Sequence, residues 1–408
     1  MNSRLLLLLL LLIPQLSFSQ TSGEVLRRVL IEQGNPEFDS CRVTLLPSAR
    51  EKYADMFSVI RKAERFVHLE YFIFRHDSIG GELINLLREK VEQGVEVRLL
   101  IDAYGNWKAS DPITEEQMDS IRQLGIHFAV FDPLRFPWIP NMLHRDHRKI
   151  VVVDGLYAWT GGMNVADYYI HGTKQTGAWH DLHARFEGPV VDEFENIFIR
   201  IWNKTTGESL APRQYRATRE PETYGSSVVS IVNREPKVSN RQIRQSLVAA
   251  LKAAKQEVCI INPYVTNTHS VRRAMKQALR RGIRMKIMVS ANSDNKIVPE
   301  VIGIQMKKMM RRGAEVYYFE GGFHHSKIMT VDNEIGIIGT ANLDGRSLRY
   351  DYEVNAVVFD PQVTKELNEI FRRSALQSQI LTPKNFKQRF SLKRRFVGRM
   401  FQPIKGLL

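Results

Sequence analysis

Cysteine is scarce in this chain: the 408 residues include only two, Cys41 and Cys259. Two cysteines cannot build the disulfide framework of a small secreted domain, and they are too few for a zinc site made of thiolates. The sequence therefore predicts a fold stabilised by its hydrophobic core, for which an apolar content of 43% is sufficient.

Long apolar runs are also nearly absent. The longest is Leu5–Ile13, which falls well short of the roughly 20 residues that span a bilayer as a helix. Because the small residues Ser17 and Ser19 follow it, we expect a secretory signal peptide at residues 1–19; an uncleaved short anchor is the alternative. Export predicts a protein that is periplasmic or membrane-associated at the outer face of the inner membrane.

Acidic residues are fewer than basic ones: 44 Asp and Glu against 58 Lys and Arg, a formal charge of +14. This excess predicts an anionic partner, which could be nucleic acid, anionic lipid or a phosphorylated substrate. The segment 383–408 is basic, carries no acid and contains interleaved phenylalanines. We expect this amphipathic C-terminal tail to attach to an anionic membrane surface; a solvated helix packed on the second domain is the alternative.

The same order of secondary-structure signals occurs twice. Each half shows helix, strand, helix, strand, helix, strand and then a histidine motif; helical spacing is clear at Leu83, Leu87 and Val91, and the apolar run Val97–Ile101 is typical of a strand. The alternation predicts βαβ units and a largely parallel sheet covered by helices. We therefore expect an α/β fold in which two domains are related by a pseudo-twofold axis.

Domain boundaries follow from where the repeated pattern starts and stops. We expect the first domain at residues 24–212 and the second at 226–382. A polar, proline-bearing linker at 213–225 joins them, and the basic tail follows the second domain. Each domain then contributes one copy of the histidine motif.

The histidine motif is the most specific feature of the sequence. Its two copies have identical spacing and consist of His147, Lys149, Asp154 and Asn164 in the first half, and His325, Lys327, Asp332 and Asn342 in the second. In each copy the lysine starts an apolar strand and the aspartate marks a turn, so a hairpin would return the asparagine to the histidine. The aspartate lies past the strand, where its carboxylate could hold the histidine or the lysine in place.

These residue types suit chemistry at phosphorus. A neutral imidazole can attack phosphorus while a second imidazolium protonates the leaving oxygen, and Lys and Asn can donate to the non-bridging oxygens. Because each half supplies one such histidine, we expect a single active site shared by both. A purely structural histidine is disfavoured by the repeated register, and a metal site is disfavoured because the lysines would repel a cation; we expect neither metal nor cofactor.

The doubled motif resembles the signature of the phospholipase D superfamily, and the surrounding blocks resemble bacterial cardiolipin synthases. The blocks are HLEYFIF, NMLHRDHRKIVVVDG followed by TGGMN, GAWHDLHARFEGP, NLDGRSLRYDYEVN and the ending QPIKGLL. The resemblance implies two α/β sandwich domains with one active site at their interface, and a phosphohistidine intermediate formed without metal. It also implies that Glu70 and Glu353 orient active-site groups beside the substrate.

The function implied is phosphatidyl transfer, and first of all the conversion of two phosphatidylglycerols to cardiolipin and glycerol. Hydrolysis of phospholipids, nuclease activity and non-catalytic lipid binding are the alternatives. The expected partners are phosphatidylglycerol and the membrane surface; nucleic acid is less favoured, and no obligate protein partner is implied.

The flanks of the two histidines differ. Positive charge from Arg145 and Arg148 would lower the pKa of His147 and favour its neutral, nucleophilic form, although Asp146 opposes this effect. We therefore expect His147 to be the nucleophile and His325 to be the acid.

Overall fold

The computed structural model describes residues 20–108, 111–134, 142–218, 225–266 and 268–403. The expected signal peptide at 1–19 lies outside these ranges, as do residues 219–224 of the predicted linker and the last five residues of the tail. Within the described ranges, no helix is long and apolar enough to cross a membrane.

The strands of the described residues are β1 (Glu37–Leu46), β2 (Phe66–Tyr71), β3 (Glu96–Asp102), β4 (His127–Phe131), β5 (Lys149–Val153), β6 (Tyr157–Gly161), β7 (Trp179–His180), β8 (His183–Glu187), β9 (Ser227–Arg234), β10 (Glu257–Ile261), β11 (Arg284–Ser290), β12 (Glu315–Phe319), β13 (Phe323–His324), β14 (Ile328–Val331), β15 (Ile335–Gly339), β16 (Glu353–Phe359) and β17 (Ser378–Ile380).

The helices are α1 (Ser22–Glu32), α2 (Ala49–Ile60), α3 (Ser78–Glu92), α4 (Ala103–Lys108), α5 (Glu115–Gln123), α6 (Tyr168–His171), α7 (Val191–Thr206), α8 (Gln242–Ala253), α9 (His269–Arg280), α10 (Val298–Met310), α11 (Pro361–Ala375), α12 (Pro383–Arg389) and α13 (Leu392–Met400). A 3-10 turn at Pro212–Tyr215 begins the connection between the halves.

One fifteen-stranded sheet runs through both halves. The first half contributes β4-β3-β2-β5-β6-β8-β1, and the second repeats this order as β12-β11-β10-β14-β15-β16-β9, with β17 added at its edge. Strands β1 and β9 pair antiparallel at the centre, so the two halves continue into each other. The predicted pair of α/β domains is confirmed by this repeated order.

The sheet is mixed, whereas the sequence predicted a largely parallel one. Within this sheet, the described strands pair in parallel only in β2-β3-β4 and in β10-β11-β12. The strands next to each of these trios are antiparallel. The reason is that the motif strands are joined by short hairpins, and a hairpin connection is possible only between antiparallel neighbours.

Helices cover both faces of the sheet. On one face α7 and α11 bury a core that spans the two halves, including Phe194 and Phe198 from α7 and Leu367 and Phe371 from α11. On the other face the core divides in two: α2, α3 and α5 pack on the first half, and α8, α9 and α10 on the second. The halves are thus separate on one side and fused on the other.

Helix α1 packs against the second half although it lies at the start of the described chain. Leu26 and Leu30 are buried in the same core as Ile243 and Leu247 of α8. The boundary predicted at residue 24 assigns this helix to the first domain. Its apolar face instead completes the hydrophobic core of the second.

The C-terminal tail is folded onto the second half. Phe386 and Phe390 are buried in its core, and Gly398 lies so close to the carbonyl of Glu300 that a side chain there would clash. Arg394 also forms an ion pair with Glu300, at 2.8 Å. One side of the tail is therefore packed, as the alternative prediction required, while its other side faces solvent.

Candidate active site

Both motif histidines are held at the junction of the halves by backbone hydrogen bonds from the opposite half. The N–H of His147 donates to the carbonyl of Tyr352 (3.1 Å). The N–H of His325 donates to the carbonyl of His180 (2.7 Å), where β13 and β7 form a separate two-stranded sheet. The two contacts are equivalent under the pseudo-twofold, so the predicted shared site is assembled by backbone pairing.

Each histidine ring is oriented by a carboxylate from the other half. Nδ1 of His147 lies 3.0 Å from Oε1 of Glu353, and Nδ1 of His325 lies 2.6 Å from Oδ2 of Asp181. A carboxylate at Nδ1 holds the proton on that nitrogen and leaves Nε2 as the reactive atom. The orienting role expected for Glu353 therefore has a geometric basis, and it acts on the histidine of the first motif.

Asp181 was not singled out from the sequence, although the register of the sheet identifies it. Gly161 of the first motif pairs with His183, and Gly339 of the second pairs with Asn355. Asp181 and Glu353 each precede these partners by two residues. When the two halves are superimposed at the motif glycines, Asp181 and Glu353 therefore occupy equivalent positions.

The ammonium group of each motif lysine contacts the histidine of its own motif. Nζ of Lys149 donates to the carbonyl of His147; Nζ of Lys327 lies 2.6 Å from the carbonyl of His325 and 3.0 Å from its Nε2. Burial lowers the pKa of Lys149 to about 7 and that of Lys327 to about 8. A phosphate entering the site would raise both pKa values, because a nearby anion favours the ammonium form.

The two histidines differ in how readily they are protonated. Burial and then the charge of Lys149 hold the pKa of His147 well below its usual range. Burial and Lys327 also lower the pKa of His325, but Asp181 opposes them. Burial alone would raise the pKa of Asp181. The charges of Lys327 and His325 outweigh burial and hold this pKa below its usual range, so the carboxylate stays ionised.

The arginines that were expected to perturb His147 are engaged elsewhere. Nε of Arg145 lies 3.0 Å from Asp102, and Nε of Arg148 lies 2.7 Å from Glu70. Glu70 is thus part of a buried ion pair with Arg148, and burial raises its pKa well above the usual range. It does not line the active-site pocket, so the structure does not bring it to the substrate position expected for it.

The motif aspartates do not reach the histidines. The carboxylate of Asp154 accepts the backbone N–H groups of Glu64, Arg65 and Phe66, which lead into β2. Asp332 does the same for residues 255–257 at the start of β10. Neither aspartate therefore makes the predicted contact with a motif histidine or lysine. The reason is that each hairpin turn directs its carboxylate to the start of the neighbouring strand, β2 or β10, which lies away from the histidines.

The reactive residues line one pocket of about 390 Å³. Both histidines and both motif asparagines contribute to its wall. Asn164 is engaged, since its Oδ1 accepts from the N–H of Ile73 (2.9 Å) and its Nδ2 donates to Tyr169 (2.8 Å). Within the described residues, Oδ1 of Asn342 has no hydrogen-bond partner. Of the two amides, that of Asn342 is the freer to meet a substrate.

Both halves of the chain match one known protein family. A family described as "Cardiolipin synthase, PLD-like domain" matches residues 56–202 and 247–375, once in each half. The chain belongs to this family. The family and the fold predicted from the doubled motif are both confirmed.

Similar proteins include further members of the cardiolipin synthase family. A cardiolipin synthase of Geobacillus kaustophilus (strain HTA426) is 33% identical over 349 residues, which covers 85% of this chain and 69% of the relative. A probable cardiolipin synthase of Bacillus subtilis (strain 168) is 31% identical over 348 residues, covering 85% and 68%.

Among solved structures, phosphatidylserine synthase of Haemophilus influenzae Rd KW20 superimposes with a TM-score of 0.74 at 14% identity. The match covers 95% of this chain and all of that one. A polyphosphate kinase from Porphyromonas gingivalis gives a TM-score of 0.56 at 14% identity, over 84% of this chain and 49% of its own. These likenesses concern the fold.

In this cardiolipin synthase-family chain, no group of three or more His, Cys, Asp or Glu side chains in the described ranges is placed to hold a metal ion. The pocket instead brings together two imidazoles, each supported by a buried carboxylate, and the ammonium group of a lysine lies beside each histidine. Such a set can attack a phosphodiester, neutralise charge on its oxygens and protonate the leaving group.

Proposed function

We propose that this protein is a cardiolipin synthase that converts two phosphatidylglycerol molecules to cardiolipin and glycerol. The observation that carries the proposal is the pair of histidines facing one pocket, each oriented by a carboxylate from the opposite half. A double-displacement reaction needs one nucleophile and one acid–base group on opposite sides of the same phosphorus, and this arrangement supplies both.

In the first step, Nε2 of His147 attacks the phosphorus of one phosphatidylglycerol. A P–N bond forms as the P–O bond to the headgroup glycerol breaks, and His325 gives its proton to the departing glycerol oxygen. Donors from Lys149 and Lys327 stabilise the charge that builds on the non-bridging oxygens. The result is a phosphatidyl-histidine and free glycerol.

In the second step, a terminal hydroxyl of another phosphatidylglycerol gives its proton to His325. The hydroxyl oxygen attacks the same phosphorus, the P–N bond breaks, and cardiolipin leaves with His147 restored. The assignment of roles rests on the carboxylates: ionised Asp181 supports the imidazolium of His325, whereas burial and Lys149 keep His147 neutral.

Acidic residues in the pocket wall suit a headgroup that carries hydroxyl groups. Asp294, Asp344 and Asp351 line the pocket beside the histidines. Carboxylates accept hydrogen bonds from hydroxyl groups such as those of glycerol. Such contacts support phosphatidylglycerol as the substrate, and the basic Lys108 and Arg346 in the same wall would suit its phosphate.

The test is the product that purified protein forms from phosphatidylglycerol. We expect cardiolipin and glycerol in equal amounts, with a loss of roughly 10²–10⁴-fold in His147→Ala and in His325→Ala because each histidine has its own step. His127→Ala, at an exposed position on β4, is the matched control and should retain activity. Phosphatidic acid as the only product would indicate a hydrolase, and DNA cleavage without lipid turnover would indicate a nuclease.

We also propose that the exposed side of α13 docks on an anionic membrane. Leu392, Phe396 and Met400 recur at helical spacing on one side and are 78%, 62% and 60% exposed. Basic residues are next to them in the chain, namely Lys393, Arg395 and Arg399. An apolar stripe within a cationic surface suits the interface of a bilayer rich in anionic lipid.

Vesicle sedimentation tests this docking. We expect Leu392→Gln/Phe396→Gln/Met400→Gln to lose most binding to phosphatidylglycerol vesicles, because the variant removes the inserted apolar groups and leaves the packed side of the helix intact. Val238→Gln, at an apolar position that is 81% exposed elsewhere, is the control. Unchanged binding by the triple variant would mean that α13 has only a structural role.

Location at the outer face of the inner membrane completes the proposal. It rests on the apolar run and small residues in positions 1–19. Fractionation of cells and N-terminal sequencing of the exported protein would test it, with Gln20 expected as the first residue. Recovery from the cytoplasm with an intact N-terminus would contradict it.

A further inference from the structure

A second concave site lies between α1, α8 and α9 on the second half. This groove has a volume of about 790 Å³, and neither catalytic histidine lines it. Apolar side chains from two helices form its floor: Val25, Val29, Val248, Ala249 and Ala253. The groove is therefore separate from the active-site pocket and offers an apolar surface to a ligand.

Its polar lining is one-sidedly basic. Arg241, Arg244, Lys252 and Arg349 contribute to the wall, and none of the acidic residues that the structure describes does. Burial and the charges of Arg241 and Arg349 lower the pKa of Arg244, so these cations lie close enough to repel one another. Within the described residues, the side chains of Arg244 and Arg349 form no hydrogen bond or ion pair. Basic side chains that lie close together without an acidic partner repel one another. A bound anion would remove this repulsion and stabilise the cluster.

We propose that this groove binds one anionic phospholipid at a non-catalytic site, with the phosphate on Arg244 and Arg349 and an acyl chain along the apolar floor. A ligand with a single negatively charged headgroup and an apolar tail matches both the basic wall and the apolar floor of the groove. His269 belongs to this groove and also to the basic outer side of α9, with Arg272, Arg273, Lys276 and Arg280. The groove thus opens beside a cationic surface of the kind that faces anionic lipid.

Binding can be measured without turnover or vesicles. The probe is dihexanoyl phosphatidylglycerol below its micelle concentration, titrated calorimetrically into full-length His325→Ala, in which the catalytic acid is missing. We expect two classes of site, one of which is weakened at least 10-fold by Arg244→Gln/Arg349→Gln. Arg50→Gln, at an exposed position on α2 of the first half, is the control and should retain both. Two undiminished sites in the double variant would overturn the proposal.

Two further arms identify the ligand. Val248→Gln, on the groove floor, should also weaken the second site, because it places a polar amide where the acyl chain would lie. Dihexanoyl phosphatidylcholine and inorganic phosphate should bind there at least 10-fold more weakly than the anionic lipid. Equal binding of phosphate, or no effect of Val248→Gln, would overturn assignment to a lipid. The product assay on the wild-type protein is independent, so failure of the proposed synthase activity would be distinguishable.

Discussion

At the scale of single residues, the two carboxylates that orient the histidines are chemically unequal. Asp181 is held ionised by Lys327 and His325. Burial raises the pKa of Glu353, although Lys149 and hydroxyl donors oppose the rise. An ionised partner supports an imidazolium better than a carboxyl group that is more easily neutralised. This asymmetry supports the proposed division of roles, in which His325 is the acid–base group and His147 the neutral nucleophile.

Substitution of Asp181 by Asn should reduce turnover by roughly 10²–10⁴-fold and change the pH profile. Asp181 raises the pKa of His325, so its loss lowers that pKa. His325 must be protonated to act as the acid, and the alkaline limb of kcat/KM should therefore move to lower pH. The profile measured between pH 5 and 9 checks this shift.

Glu353→Gln is the matched comparison, because it removes the equivalent carboxylate from the other histidine. Here the acidic limb of kcat/KM should move to lower pH. His147 must be neutral to attack phosphorus, and loss of the nearby carboxylate makes its protonation less favourable. Alkaline limbs that shift equally in the two variants would contradict the division of roles.

At the scale of elements, the motif hairpins were predictable and the partners of their turns were not. An apolar run such as β5 followed by Asp154-Gly155 predicts a strand and a turn, and the structure has both, with positive φ at Asp154 (54°) and Gly155 (70°). The groups that Asp154 binds depend on which strand lies beside the hairpin. That neighbour is set by the tertiary structure and not by the local sequence. Its carboxylate therefore caps the start of β2, at a place that no local spacing indicates.

Asp154→Asn should consequently reduce stability more than catalysis. An amide has one acceptor oxygen where the carboxylate uses two, so the variant weakens the pairing of three N–H groups, of which that of Phe66 is buried, at a cost of about 1–3 kcal/mol. Denaturant unfolding measures the loss, and kcat per folded molecule should stay within a few-fold of wild type. Asp39→Asn, at an exposed position, should change neither quantity. A large loss of kcat at unchanged stability would restore the catalytic role predicted from the sequence.

At the scale of the whole molecule, the repeat predicted the pseudo-twofold but not how the halves are joined. Strands β1 and β9 and helix α1 precede the segments in which the sequence shows the repeat, so neither the pairing of β1 with β9 nor the packing of α1 on α8 could be predicted from it. Both features tie the beginning of the chain to its second half. The core under α7 and α11 adds apolar side chains from each half to one cluster.

Unfolding should therefore occur as one cooperative transition. Neither half keeps a closed core without the other, because Leu26 and Leu30 are supplied from the start of the chain and the central cluster is shared. Calorimetry should give equal calorimetric and van't Hoff enthalpies, and loss of activity should coincide with loss of helical signal. Two resolved transitions would mean that the halves fold as independent domains.

The reciprocal exchange of carboxylates has a consequence for divergence. If two identical copies of one half formed this site as a dimer, every substitution would occur twice and both histidines would keep the same surroundings. Joined in one chain, the two copies can change one at a time. An aspartate can then support one histidine and a glutamate the other, and the buried Glu70–Arg148 pair has Ile261 and Ser326 at the matching positions of the second copy. Fusion thus permits two initially equivalent imidazoles to specialise for different halves of one reaction.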